Sequence, residues 1–292
     1  MATIRQVRQR IRVAKNIQQI TKAMKMVAAA RLKRAQERVT AARPYSFTMR
    51  EMMTSLAAGV GGELDHPLLA VRPVKHTGFL IITADRGLAG SYNSAILRKT
   101  LEMLKEYDKE HVRLYCAGRK GVQFFKRRGY NVVAEFELGN TGVSFSESRD
   151  ITKVVRDAFE SGTIDELYLL YTQFFTAITQ KPSDVLLLPI QQPAQEDGTV
   201  SAGAGNDDYI FVPSAAELLK SLLPRYVEGQ VYQAFLESNA SEHGARMTAM
   251  SSATDNAGKM ITTLTLQLNR ARQAGITREI SEIVGGAEAL KG

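Results

Sequence analysis

Residues 22–35 read KAMKMVAAARLKRA, and the fold turns on what such a stretch packs against. It mixes bulky apolar groups, a run of alanines and five cations, with no acid, glycine or proline. The same freedom from Gly and Pro runs from Met1 to Arg43. Large apolar side chains recur outward from it: Ile4, Val7, Ile11, Ile17, Ile20, Met24, Val27, Leu32, Ala35 and Val39. Steps of three and four dominate, the stripe of an amphipathic helix. The phase of these large residues slips near Val13 and Ala14. Pro44 removes an amide donor, yet SFTMREMMTSLAA resumes the helical period, so the spacing predicts one helix over residues 1–58.

The other end of the chain reads alike. Ser214 is a candidate N-cap, Pro224 falls in the early turns, and helical patterning continues through residues 214–292. Ala257, Ile261, Leu264, Leu268 and Ala271 alternate steps of four and three, the seam of a coiled coil. Gly244, Gly258 and Gly275 each weaken a helix by about 1 kcal/mol, which predicts a close neighbour at each. Gly285 and Gly286 predict the helix end.

Between these helices the pattern changes. GFLIITA, VRLYCAG, YNVVAEFE, ELYLLYTQFF and SDVLLLPI read as strands, with helices near residues 91–107, 118–129 and 146–160. That alternation predicts an α/β domain over residues 76–190 with a mostly parallel sheet. Residues 191–213 are rich in Gly, Ala and acids and read as a surface loop. An α/β domain of that length is too small to cover either long helix. Each helix is therefore expected to bury its stripe on the other, on another molecule, or on both; the helices of 1–58 and 214–292 pair as one antiparallel coiled coil if both leave the same side of the domain.

Charge is distributed unevenly. The net charge is +8, yet residues 1–43 hold twelve Lys or Arg and one acid, Glu37. Attraction to an acidic partner is expected there. A nucleic-acid reading is disfavoured, because these cations share a helix with an apolar stripe and no aromatic residue interleaves them. No apolar run is long enough to span a bilayer. The single cysteine, Cys116, lies in a strand and reads as a buried core residue. The four histidines have no metal-ligand spacing. DRGLAGSYN follows a strand and opens a helix, but it is neither the dinucleotide fingerprint nor a P-loop. Glu279 and Glu282 lie one turn apart with no His, Cys or third acid to join them. No catalytic, cofactor or metal site is expected.

ITREISEIVGGAEA at 276–289, with ITKAMKMVAA, ADRGLAGSYN, RMTAMSSATDNA and NRARQA, resembles the gamma subunits of F-type ATP synthases over essentially the whole chain. The resemblance implies a non-catalytic rotor stalk that couples proton flow through the membrane sector to ATP synthesis or hydrolysis and regulates the ATPase. It implies three alpha and three beta subunits, epsilon and the c-subunit ring as partners. Lys22, Met24 and Lys25 would face an acidic loop of beta, with Arg246, Arg272 and Gln273 meeting beta higher up. Tyr209 and Phe211 would lie near epsilon and the c ring. Ala89 stands where the family commonly has Cys. The family likeness, with no transit peptide evident, implies a peripheral protein on the cytoplasmic face of a bacterial cell membrane.

Overall fold

The computed structural model of the chain describes residues 4–60, 66–139, 142–191 and 214–289. Helix α1 runs Ile4–Val60 and helix α5 runs Ala215–Ala289. Between them come β1 (Thr77–Ile82), α2 (Tyr92–Leu104), β2 (Val112–Ala117), α3 (Arg119–Lys126), β3 (Val132–Phe136), α4 (Phe145–Glu160), β4 (Glu166–Phe174) and β5 (Gln180–Leu188). The chain divides into two compact units. One comprises residues 1–28 and 246–292, the other residues 29–245.

The larger unit is built on a sheet of order β3-β2-β1-β4-β5. β1, β2, β3 and β4 pair parallel, each reached through a helical crossover. β5 pairs antiparallel with β4, because five residues between them suffice for a reversal and not for a crossover. β1 is buried along its whole length, as expected for a central parallel strand covered on both faces. Its side chains alternate between two cores. Phe79 and Ile81 join Ile96, Leu104 and Phe125 from α2 and α3. Leu80 and Ile82 join Val155 and Phe159 of α4, Met53 and Leu56 of α1, and Leu223 and Val227 of α5. Cys116 lies in the first core, where burial and then the Glu135 carboxylate push its thiol up to about 12 against the lowering effect of Lys126.

Polar groups lock the helices to the sheet. Ser144 and Glu147 form a reciprocal capping box at α4. The Ser214 hydroxyl accepts from the Glu217 amide at 3.2 Å and caps α5. Further along α5, Ser238 accepts from the Thr172 amide, Ser241 donates to the Thr172 carbonyl, and Glu237 accepts from the Phe174 amide. Close approach of the β4–β5 turn explains Gly244: a Cβ there would lie 2.9 Å from the Ala177 carbonyl oxygen.

In the smaller unit the two helices run antiparallel. The Thr254 and Thr21 hydroxyls lie 2.8 Å apart, and a Cβ on Gly258 would sit 3.1 Å from Gln18. As the residue number falls on α1 it rises on α5. The buried positions of α1 include Val7, Ala14, Thr21, Ala28, Ala35, Met49 and Leu56. All fall on one seven-residue period, the repeat of a coiled-coil seam.

Four sequence expectations need correction. Ile17, Ile20 and Val27, placed in the packed stripe, are 48%, 58% and 53% exposed, because the seam is carried by the small residues Ala14, Thr21 and Ala28. The phase slip near Val13 therefore disappears once alanine and threonine are counted. Gly285 and Gly286 lie inside α5, which continues to Ala289. Gly275 has no neighbour within 4 Å of an added Cβ, and the group near Gly258 is a side-chain amide, so close backbone approach accounts for Gly244 alone of the three.

Candidate partner-binding surface

The site of interest is a pair of helix faces, and its charge comes first. Residues 1–28 and 246–292 carry thirteen Lys or Arg against four acids, a net of +9. The remaining 217 residues must then sum to −1 to give the chain's +8. Eleven of the large apolar side chains that stand exposed also lie in this small unit: Val13, Ile17, Ile20, Met26 and Val27 on α1, and Met260, Leu266, Ile276, Ile280, Ile283 and Val284 on α5. Burial of the seam leaves these groups on other faces. Exposed apolar surface rimmed by charge marks protein interaction sites.

Val13, Ile17, Ile20, Met24 and Val27 repeat at steps of four and three beside the buried seam, forming a second stripe on the same helix. Met24 is half-buried, whereas Lys22 and Lys25 are exposed. The inward positions step from buried Thr21 through half-buried Met24 to buried Ala28. Lys25, which a strict repeat would turn inward, is thereby left in solvent. On α5, Arg246 is half-buried, and Arg272 and Gln273 are exposed. All six residues expected to meet beta thus fall within the small unit, though along different stretches of its two helices. Ala257 is buried, and Ile261, Leu264, Leu268 and Ala271 are half-buried, with exposed residues on either side of each of these four. From Ile276 to Gly286 every side chain is exposed. Glu282 makes a 2.9 Å ion pair with Arg278 on that exposed stretch. Tyr209 and Phe211 lie outside the described residues.

The loop DRGLAGSYN shows how the α/β unit uses the place where phosphate often binds in such folds. The Asp85 carboxylate accepts from the Arg119 amide at 2.9 Å and from the Leu138 amide at 3.0 Å. The chain's own anion therefore occupies the amide opening α3. Asn93 accepts from the Ala84 amide and Thr83 accepts from the Gly121 amide, both at 2.9 Å. These groups tie together the ends of β1, β2 and β3. No group of three or more potential metal ligands occurs among the described residues. No described helix is long and apolar enough to cross a membrane.

The second stripe and the surplus cations could have been found from sequence by asking which heptad positions stay apolar after the small-residue seam is removed. The large residues alone conceal that seam.

A family model described as ATP synthase matches residues 3–290. A curated ATP synthase gamma chain of Desulfitobacterium hafniense is 50% identical over 291 residues, covering 100% of both chains. One from Heliobacterium modesticaldum is 49% identical over 296 residues, covering 99% of this chain and 100% of its own. Among solved structures, a chain of the Tetrahymena thermophila mitochondrial ATP synthase central stalk and c-ring superposes with a TM-score of 0.62. It is 25% identical and covers 80% of this chain and 99% of its own. A chain of the Euglena gracilis mitochondrial enzyme gives 0.71 at 18% identity, covering 98% of this chain and 94% of its own, a likeness of fold.

Proposed function

Since the chain belongs to the ATP synthase gamma chain family, we propose that it is the central rotor stalk of a bacterial F-type ATP synthase. It couples ion flow through the membrane sector to ATP synthesis or hydrolysis on the beta subunits and regulates the ATPase. Its own role is mechanical: it binds no catalytic nucleotide and forms no covalent intermediate. Three alpha and three beta subunits surround its paired helices. The epsilon subunit and the c-subunit ring are its other partners, with Tyr209 and Phe211 near them. The complex holds it as a peripheral subunit on the cytoplasmic face of the cell membrane.

The observation that carries this reading is the small unit's combination of a net +9 charge with solvent-facing apolar stripes on both helices. A pair of unlike helices cannot present one face to three equivalent subunits at once. Rotating it must favour a different state in each, and the coupling is the difference in contact energy between those states. Lys22 and Lys25 supply attraction to an acidic loop of beta, Met24 an adaptable apolar contact, and Arg246, Arg272 and Gln273 meet beta elsewhere. Unlinked charge contacts of this kind tolerate sliding, because exposed pairs contribute only about 0–1 kcal/mol each.

The double substitution Lys22→Ala, Lys25→Ala tests the assignment in the reconstituted complex. ATP-driven ion pumping per ATP hydrolysed is expected to fall, while the isolated chain keeps its thermal unfolding midpoint. Unchanged pumping with a destabilised chain would make these lysines structural and overturn their role.

A further inference from the structure

On the α/β unit, α2 and α3 border an open groove of about 520 Å³. Its floor is apolar: Leu97 is buried, and Leu101 and Phe124 are half-buried with one face toward the groove. Its rim carries Arg98, Lys120, Arg127 and Arg128, and no carboxylate lines it. The guanidinium of Arg128 lies 3.6 Å from the Phe124 ring centroid and donates to the Phe124 carbonyl, so it is held over the apolar floor.

Other cations on the same two helices behave differently. Lys99 pairs with Asp184 of β5, Lys126 with Glu135 of β3, and Arg119 lies 4.0 Å from Glu137. Acids on β5, on β3 and just after β3 thus stand beside the cations that turn toward the sheet edges. Arg98, Lys120 and Arg127 have no carboxylate within ion-pair distance among the described residues, even though Glu102 follows Arg98 by one helical turn. Within α2 and α3 the cations left without such a partner, Arg98 and Lys120, both line the groove.

We infer that this groove docks an acidic, amphipathic segment of a protein partner, its apolar side chains on Leu101 and Phe124 and its carboxylates on Arg98, Lys120 and Arg127. Charge complementarity selects an acidic occupant. The apolar floor selects a peptide over a free phosphate, which would gain nothing from Leu101 or Phe124. The volume is within the range of built ligand sites, and two flanking helices with an apolar trough suit helix-in-groove recognition. Arg128 is already ordered by its stack, so less side-chain freedom is lost when it binds a carboxylate.

The test uses the full-length chain and a fluorescent helical peptide with glutamates on one face and leucines on the other, followed by anisotropy. Binding is expected to weaken about tenfold in the triple variant Arg98→Glu, Lys120→Glu, Arg127→Glu, three exposed pairs acting together. The same charge change placed on α4 and the start of α5, as Arg149→Glu, Lys153→Glu, Lys220→Glu, which are exposed and outside the groove, separates the groove from general basicity and is expected to change binding by less than about threefold. A peptide of identical composition with its periodicity scrambled is expected to bind at least about tenfold more weakly. Equal loss from both triple variants, or equal binding of the scrambled peptide, overturns the proposal. So does groove-dependent binding of tripolyphosphate or of phosphatidylglycerol vesicles at the same strength. Should the charge-reversed chain fail to fold, the double variant Arg98→Gln, Lys120→Gln reads the same loss in smaller measure, and no loss there is equally decisive.

Discussion

A Cβ at Gly118 would lie 2.2 Å from the Thr83 carbonyl oxygen, and its φ of 98° is one that other residues rarely adopt. Here β1 passes so close to the β2–α3 junction that only a hydrogen fits. The Thr83 hydroxyl lies 3.1 Å from the carbonyls of Ala117 and Gly118 and accepts from the Gly121 amide, using the space that a side chain would take. Gly118→Ala is expected to cost about 1–3 kcal/mol from backbone strain alone, with the clash adding to it. Urea unfolding should show a lower midpoint at unchanged slope. A stability equal to that of the unsubstituted chain would mean that this junction can open. Asp165 shows a second kind of residue-level constraint. Burial pushes its carboxyl up, but the amides of His76 and Lys75 and the charge of Arg72 outweigh that and hold it below the ordinary carboxylate range. Because the folded value is depressed, its contribution is complete above the ordinary carboxylate range and is lost as pH falls through the folded value.

At the scale of the element, α1 holds the clearest lesson about what a sequence discloses. The strands were legible because each contains a short apolar run near turn residues, although β5 begins at Gln180, three residues before its run SDVLLLPI. The existence of two long helices was equally plain from spacing. Which side of α1 faces inward was legible only in part: Val7, Leu32, Ala35 and Val39 of the expected stripe are buried, but between residues 17 and 27 side-chain size misled. Large apolar residues at 17, 20 and 27 look like a core stripe, yet the positions that permit close helix approach are Ala14, Thr21 and Ala28. The residues of the proposed beta contact could be named from family likeness, whereas the groove cations of α2 and α3 carry no motif and become visible only when their neighbours' partners are known. Paired substitutions decide the register. Ala28 is 1% exposed and Ile20 is 58% exposed. Ala28→Leu is expected to destabilise the isolated chain by about 1–3 kcal/mol through overpacking, and Ile20→Ser to stay within about 0.5 kcal/mol. The reverse ranking in thermal melts would place the seam on the opposite side of α1.

For the whole molecule, the burial that stabilises the fold is spread unevenly along the chain. The dense cores lie in the larger unit, around β1 and the first half of α5. Beyond Gly275, by contrast, every side chain to Gly286 is exposed, including Ile276, Ile280, Ile283 and Val284. Ending the chain after Gly275 should therefore leave the unfolding free energy of the isolated protein within about 0.5 kcal/mol of its original value. The same truncation should weaken incorporation into the assembled complex, measured by co-purification with alpha and beta subunits. A large loss of isolated stability would show that the terminal turns pack on the chain itself.

The hydroxyl contact between Thr21 and Thr254 carries one more consequence. A row of alanines is a smooth track, and two smooth tracks could creep lengthwise by a repeat while sacrificing little apolar area. Only one alignment sets threonine opposite threonine, and a polar match at a single rung is known to index such pairs. Lengthwise creep of one helix past the other would accordingly meet a catch at this rung, of about 0.5–1.5 kcal/mol for one hydrogen bond, and a shaft so indexed keeps its two helices in step as it turns.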